Sequence, residues 1–440
     1  MDPLADGWDS GVEYASLSNI GMRRTNNQDS FAVVVAGDEA SFRQRGHLFM
    51  VADGMGAHAA GELASKLATD SVPHTYYKLR EEAPPTALQR AMLDANEKIH
   101  ERGTANPEFK GMGTTCSALV LLPQGALIAH VGDSRVYRLR GDKLEQMSFD
   151  HSLVWEMQSG SQINEQEVPS YIPKNIITRS LGPNPQVKVD LEGPAPLQVG
   201  DTFLTCSDGL TGKVENEEIA ALLSTLSCQE AAEVLIDLAN LRGGPDNITV
   251  VVVRVVGAHL TQAPAGGFET PAPANSSAGS AVHPFVWGML TAFVLVGGIL
   301  AVIGRYMAAG AASIGALITA VYAAIRLLSS GESARGHGAN SQFGAAPYTT
   351  TPVKIDREMV DRLAKTIQQL KDAAVGQDWV LDWHRFNQLA GNAADEAQQS
   401  QFVASVQHYS QAIRHMMSEL RNQRRQREAG GDTPEAALQA

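Results

Sequence analysis

Five aspartates in the first 250 residues stand where ion chemistry is possible. Asp29 closes Asn26-Asn-Gln-Asp, and Asp53 opens Asp-Gly-Met-Gly. Asp133 lies in Val-Gly-Asp-Ser-Arg, Asp208 in Cys-Ser-Asp-Gly-Leu and Asp246 in Gly-Gly-Pro-Asp-Asn. Taken singly, each is a common turn or cap residue. Three of them, however, directly follow apolar runs of strand length, which places their charges at the rim of a sheet where several strands can converge. Hard oxygen ligands without an accompanying His/Cys cluster suit Mg²⁺ or Mn²⁺ rather than zinc.

The elements that must hold these residues are legible in outline. Phe31–Ala36, His47–Ala52, Thr114–Leu122, Ala126–Val131, Thr202–Cys206 and Ile248–Val256 are Val/Ile/Leu/Phe-rich runs of strand length. Gly61–Lys78, Ala87–Arg102 and Cys228–Leu241 carry helical spacing. Between Thr114 and Met147 the strands follow one another through short turns at Pro123-Gln-Gly and Gly141-Asp, which favours antiparallel pairing. The order is not a strict strand-helix alternation.

Charge narrows the partners. Residues 1–283 hold 21 Lys and Arg against 35 Asp and Glu, whereas residues 350–440 are near balance, 11 against 12. An acidic front half repels a phosphate backbone, so no nucleic acid partner is expected. Cys116, Cys206 and Cys228 are odd in number and scattered, two of them in apolar runs, and read as small buried hydrophobes rather than disulfides or zinc ligands. The N-terminal residues are acidic and lack an apolar core, so no signal peptide is expected and the front half should fold in a reducing cytoplasm.

With these segments in view, the chain resembles the metal-dependent protein phosphatases of the 2C type. The resemblance rests on eight blocks in order over residues 10–257: Ser18-Asn-Ile-Gly-Met-Arg-Arg-Thr-Asn-Asn-Gln-Asp29, Asp53-Gly-Met-Gly-Ala-His58-Ala-Ala-Gly61-Glu, Gly111-Met-Gly-Thr-Thr115, Gly132-Asp-Ser-Arg-Val-Tyr, Asp150-His-Ser, Thr178-Arg-Ser-Leu-Gly, Ser207-Asp-Gly-Leu and Gly244-Pro-Asp-Asn-Ile-Thr. It implies an α+β fold of two packed antiparallel sheets flanked by helices, and a serine/threonine phosphatase working with two, or three, Mn²⁺ or Mg²⁺ ions and no covalent intermediate. Asp53 would bridge two ions, with the Gly54 carbonyl on one of them; Asp208 and Asp246 would complete that site. Asp29 would hold water beyond the ligands, and Asp133 with Asp208 would take a third ion. Arg24, favoured over Arg23 by its spacing to Asp29, would grip the substrate phosphate, and His58 is the candidate acid for the leaving group, with a purely structural role as its alternative. Asn19 and Gln28 depart from the family's common Asp and Glu, at positions that are not ligands.

This chemistry agrees with the residue types. A phosphomonoester dianion resists neutral water, and cations lower the pKa of a water and offset phosphoryl charge. The planar fork of Arg pairs two phosphate oxygens at once, and a His near neutrality can protonate a departing alkoxide. No Cys-x5-Arg motif is present, so the cysteine-based class is excluded. The rival readings are an inactive relative serving as a scaffold, which retention of Asp53, Asp208 and Asp246 disfavours, and a phosphatase dedicated to one partner-switching protein.

Behind residue 257 the composition changes. Residues 258–283 form a Pro/Ala/Gly/Ser linker. Within residues 284–328, Val286–Ile303 and Tyr306–Ile325 are uncharged runs of membrane-spanning length, expected as a transmembrane segment, or as a two-helix hairpin given only Gly304-Arg305 between them. The expectation is therefore a membrane protein with a cytoplasmic catalytic domain and lipid contacts. In the hairpin reading the tail, residues 350–440, returns to the cytoplasm; in the single-span reading it is exported. Residues 329–352 read as a second linker and 353–428 as an all-α tail, with Val360, Leu363, Ile367 and Leu370, then Phe402, Val406, Tyr409, Ile413 and Met416/Met417, at helical spacing. Such a tail could bind a protein partner. Phosphoprotein substrates of a serine/threonine kinase are the expected targets.

Overall fold

The computed structural model of the chain describes residues 9–57, 59–161, 176–261, 303, 343–376 and 382–429. In order they form β1 (Val12–Asn19), β2 (Asp29–Val34), α1 (Glu39–Arg45), β3 (His47–Met55), α2 (Ala60–Lys78), α3 (Pro84–Ala105), β4 (Gly113–Thr114), β5 (Cys116–Leu122), β6 (Gly125–Val131), β7 (Arg135–Arg140), β8 (Lys143–Gln146), α4 (Leu153–Ser161), β9 (Asp190–Ala195), β10 (Thr202–Cys206), α5 (Asp208–Thr211), α6 (Asn216–Thr225), α7 (Cys228–Leu241), β11 (Ile248–Val255), β12 (Thr349–Pro352), α8 (Arg357–Gly376), α9 (Trp383–Gln398) and α10 (Phe402–Ala429). Residues 1–267 and 340–440 belong to one compact unit, and 268–339 to a second.

Two antiparallel sheets account for the strands. One runs β1-β11-β10-β7-β8-β12, the other β2-β3-β5-β6-β9 with β4 beside β3. The central strands are continuous apolar runs because both of their faces are covered. Along β11, Val251 and Val253 point inward to Phe49, Val51, Leu119, Leu121 and Phe203. Their neighbours Val250 and Val252 point outward to Leu235 and Leu238 of α7, as the two-residue period of a strand requires. Each such side chain contributes about 1.5–3 kcal/mol by leaving water.

The expected antiparallel run from Thr114 to Met147 is present, with one break. β6 does not pair with β7; the chain leaves one sheet and enters the other across Gly132-Asp-Ser. Gly132 has φ 115°, and a Cβ there would lie 2.5 Å from Thr115 Cβ. This crossing delivers Asp133 to the end of the sandwich where β3 and β10 also end.

The membrane expectation is corrected. Among the described residues no helix is long and apolar enough to cross a bilayer, so the apolar membrane helices, the lipid contacts and the membrane localisation find no support. The runs Val286–Ile303 and Tyr306–Ile325 lie outside the described residues, Ile303 apart. The long helices that are described behind residue 352 are amphipathic and direct their apolar side at protein. Met359, Val360, Leu363, Ile367 and Leu370 of α8, Phe386 of α9, and Val406, Tyr409, Ile413 and Met416 of α10 are buried in one cluster with α6 and α7.

Residues 343–352, the described part of the expected second linker, are held against the sheets as a strap. Gly193 and Phe343 exchange backbone hydrogen bonds, and the Ala346 amide and the Tyr348 hydroxyl both donate to the Glu192 carboxylate of β9. β12 then pairs with β8, Thr351 opposite Leu144. The strap thus ties the outer strand of one sheet to the outer strand of the other.

Candidate active site

Each of the five aspartates lies at a strand end or in a loop next to one. Asp29 begins β2 and stands directly opposite Asp53 of β3. Asp53 is fixed from the end of β4 and the residue that joins it to β5: Thr115 Oγ1 accepts from the Asp53 amide at 2.8 Å, while the Thr115 amide and the Thr114 hydroxyl donate to its carbonyl at 2.8 and 2.9 Å. Gly54 has no room for a side chain, since a Cβ would sit 2.0 Å from the Gly61 carbonyl oxygen. Asp208 opens α5 directly after β10, and Asp246 lies in the loop between α7 and β11. Two sheets therefore bring carboxylates from four strand ends to one end of the sandwich.

Their electrostatics are those of a site built for cations. Burial pushes the Asp29 carboxyl up to about 7, against the pull of the Ser207 and Thr249 hydroxyls, with Asp208 and Asp246 adding repulsion. Asp53 is driven well above the carboxylate range by burial and then by Asp29, Asp208, Asp133 and Asp246. Asp133 is pushed up to about 7 by burial and by Asp208 and Asp150. Asp208 is raised by burial and by Asp246. Bringing like charges together in a desolvated corner is unfavourable by itself. Arg24 supplies a cation at the exposed rim, its Nη2 donating to Asp246 Oδ2 at 2.8 Å.

The residues fit divalent metal. Asp29 Oδ1, Asp133 Oδ1 and Asp208 Oδ1 are buried with no hydrogen-bond partner. A buried polar atom normally has one, and a hard cation is the partner that carboxylate oxygens in this setting would take. Among the described residues no group of three His, Cys, Asp or Glu side chains closes around one point. That is compatible with Mg²⁺-like binding, in which one or two carboxylates, water and substrate oxygens share the ion.

Three residues without an assigned role in the sequence reading support the site. Ser207 Oγ donates to Asp29 Oδ2 at 2.7 Å and accepts from the Thr249 amide at 3.0 Å. Asn247, 4% exposed, accepts from the Gln28 amide at 2.8 Å and donates to the Ile20 and Asn26 carbonyls at 3.0 Å. It clamps the loop that carries Arg24 to the loop that carries Asp246. Thr115 holds Asp53 and also bonds Ser134 Oγ at 2.7 Å, beside Asp133. Their signal was adjacency: each neighbours a singled-out motif residue or lies within a motif. Arg23 is exposed beside Arg24. His58 lies outside the described residues.

Comparison with known proteins agrees with this geometry. The profile of the protein phosphatase 2C family matches residues 22–239. Protein phosphatase PhpP of Streptococcus pneumoniae is 35% identical over 253 residues, 56% of this chain and 98% of that protein. The serine/threonine phosphatase stp of Listeria innocua is 37% identical over 239 residues, 53% of this chain and 92% of that protein. A solved catalytic domain of the serine threonine protein phosphatase PstP, in complex with two manganese ions, is 33% identical, covering 56% of this chain and 99% of that one with a TM-score of 0.47. The chain belongs to the protein phosphatase 2C family, the metal-dependent protein serine/threonine phosphatases.

Proposed function

We propose that this phosphatase removes phosphate from phosphoserine and phosphothreonine by direct attack of water, at a centre held by Asp53, the Gly54 carbonyl, Asp208 and Asp246, with Asp133 and Asp208 available to a further ion. The observation that carries this reading is the cluster of buried carboxylates with unpartnered oxygens. Mn²⁺ or Mg²⁺ bound there would supply an activated water near neutral pH and offset charge growing on the phosphoryl group.

The remaining tasks fall to the chain's own groups. Arg24, on the rim beside Asp246, is placed to pair with two phosphate oxygens through its planar fork. Asp29, held by Ser207, faces Asp53 and can accept a proton from water lying between them. His58 is proposed on sequence grounds as the acid that protonates the departing alkoxide. The three cysteines are buried, and burial pushes each thiol up to about 12. None is set up to act as a thiolate nucleophile, which disfavours a cysteine-bound phosphoryl intermediate. Phosphoproteins are the substrates, with those of a serine/threonine kinase as the proposed pool.

The test is hydrolysis of a phosphothreonine peptide by the full chain with Mn²⁺, Mg²⁺ or chelator. Activity with either ion and none with chelator is expected. Equal activity in chelator would overturn the reading.

A further inference from the structure

The matched stretch leaves α8–α10 unassigned, yet α10 is joined to the catalytic unit by an ordered polar ladder. Gln407 Nε2 donates to the Thr225 carbonyl at the end of α6, at 2.8 Å. Seven residues on, Arg414 Nε donates to Glu233 Oε2 at 2.6 Å and its Nη1 to Glu230 Oε1 at 3.2 Å. Seven further, Arg421 pairs with Asp237. A seven-residue step returns to the same side of a helix, so these three side chains form one stripe. Their partners advance from 225 to 237 as α10 advances from 407 to 421, so α10 and α7 run parallel.

The last rung differs from the other two. Glu230 and Glu233 are about one-third exposed, whereas the Asp237 side chain is 1% exposed. Arg421 reaches its Oδ1, and Asp237 Oδ2 is buried with no hydrogen-bond partner. A buried carboxylate whose cation is removed is strongly destabilising, so Arg421 is needed wherever Asp237 is desolvated.

Asp237 stands one turn before the end of α7, and that end is tied to the active site. Asn240 Nδ2 donates to Asn19 Oδ1 at 3.2 Å, the Gly244 amide donates to the Ala239 carbonyl at 3.1 Å, and the Gly244 carbonyl accepts from the Met22 amide at 2.8 Å. Gly244 is two residues from Asp246, Met22 two from Arg24, and these two side chains bond each other. The path from Arg421 to the pair runs through one helical turn and one short loop.

We propose that Arg421 is a positioning residue for the phosphatase reaction: by holding Asp237 it sets the last turn of α7, and through it the placement of Asp246 and Arg24. The tail is then a working part of the catalytic unit. The inference rests on the ligand role of Asp246 and the phosphate role of Arg24 proposed above.

The test uses the full chain and three variants, Arg421→Ala, Arg421→Lys and Arg357→Ala, the last removing an exposed arginine of α8 whose ion pair, with Asp361, lies within its own helix. Mn²⁺ binding is read directly by calorimetry, and KM and kcat on a phosphothreonine peptide. Groups supporting metal ligands typically change affinity by 10–100-fold; at one remove further, Arg421→Ala should weaken Mn²⁺ binding and raise KM by about five- to tenfold. kcat should change by less than about threefold, Arg421→Lys should recover most of the loss, and Arg357→Ala should match the parent. Unchanged Mn²⁺ binding and KM in Arg421→Ala would overturn the inference, as would a loss in kcat and melting temperature alone. Should Arg421→Ala fail to fold, Arg421→Gln, which keeps the length of the side chain and removes its charge, decides: weaker Mn²⁺ binding and a raised KM support the proposal, and the absence of both overturns it. A parent chain that binds no Mn²⁺ would instead defeat the metal reading itself.

Discussion

Asp29 and Asp53 stand directly opposite each other across the β2–β3 pair. Opposed residues of an antiparallel pair project to the same face, and like charges there destabilise it. The cluster is thus under repulsion that cations relieve, and this makes stability and activity separable readouts.

Substituting Asp208→Asn should cut phosphopeptide hydrolysis by about 100-fold or more, since it removes charge from the centre itself. In chelator the same variant should melt at a higher temperature than the parent, because a repelling charge next to Asp53 and Asp246 is gone. Paired activity and thermal-unfolding measurements check both halves, and near-parental turnover would sink the role of Asp208.

Mn²⁺ should stabilise the parent chain against heat. A ligand at about 100 times its dissociation constant adds about 2.7 kcal/mol to the folded state. The gain should shrink in Asp208→Asn. Melting curves with and without metal decide this, and no shift in the parent would contradict a cation site at the carboxylates.

Arg24→Ala should act chiefly on KM, because phosphate is gripped in ground state and transition state alike. Arg23→Ala should change KM far less. Since Arg24 also neutralises Asp246, its loss should weaken the folded state in chelator. The reverse ranking of the two arginines in KM would place the phosphate contact one residue earlier.

Acid stability should depend on Asp190. Burial raises its carboxyl, but the hydrogen bond and charge of His151, with Arg179 and Lys188, outweigh it and hold the group at about 2. A carboxyl lowered on folding stabilises above its unfolded value near 4 and loses that contribution as pH falls from about 4 to 2. Because the group is partly exposed, its worth is about 1 kcal/mol. Asp190→Asn should lose this amount at pH 7 and show a shallower fall in stability below pH 4, measured by urea unfolding.

How far the fold was legible followed from burial. β3, β5, β6, β10 and β11 were found within a few residues because both faces are covered and most positions are apolar. β1 was missed: Val12-Glu-Tyr-Ala-Ser-Leu-Ser-Asn is an edge strand, paired only to β11 and mostly half-buried, so its composition carries little hydrophobic signal. β12 failed for the same reason, since Thr349-Thr-Thr-Pro gains order from its pairing to β8 rather than from its own residues. Asp53, Asp133 and Asp208 stood out because each follows an apolar run, and Asp29 and Asp246 by their motifs, whereas Asn247 and Ser207 act through hydrogen bonds across 219 and 178 residues of separation that no local pattern encodes. The helices of the tail were periodic in sequence, but periodicity says which side is apolar and not what covers it.

The cover that α8–α10 and β12 give to α6, α7 and the β8 edge bears on how the enzyme can be divided. A truncated chain ending near residue 257, just past β11 and the last of the motif blocks, would bare a continuous greasy surface beside an open strand edge with unpaired amides. Such surfaces recruit neighbouring molecules. The shortened enzyme should therefore stick to itself or to chaperones at concentrations where the intact chain stays dispersed, and a poor yield of it would speak of sticky surface and not of a defective active site.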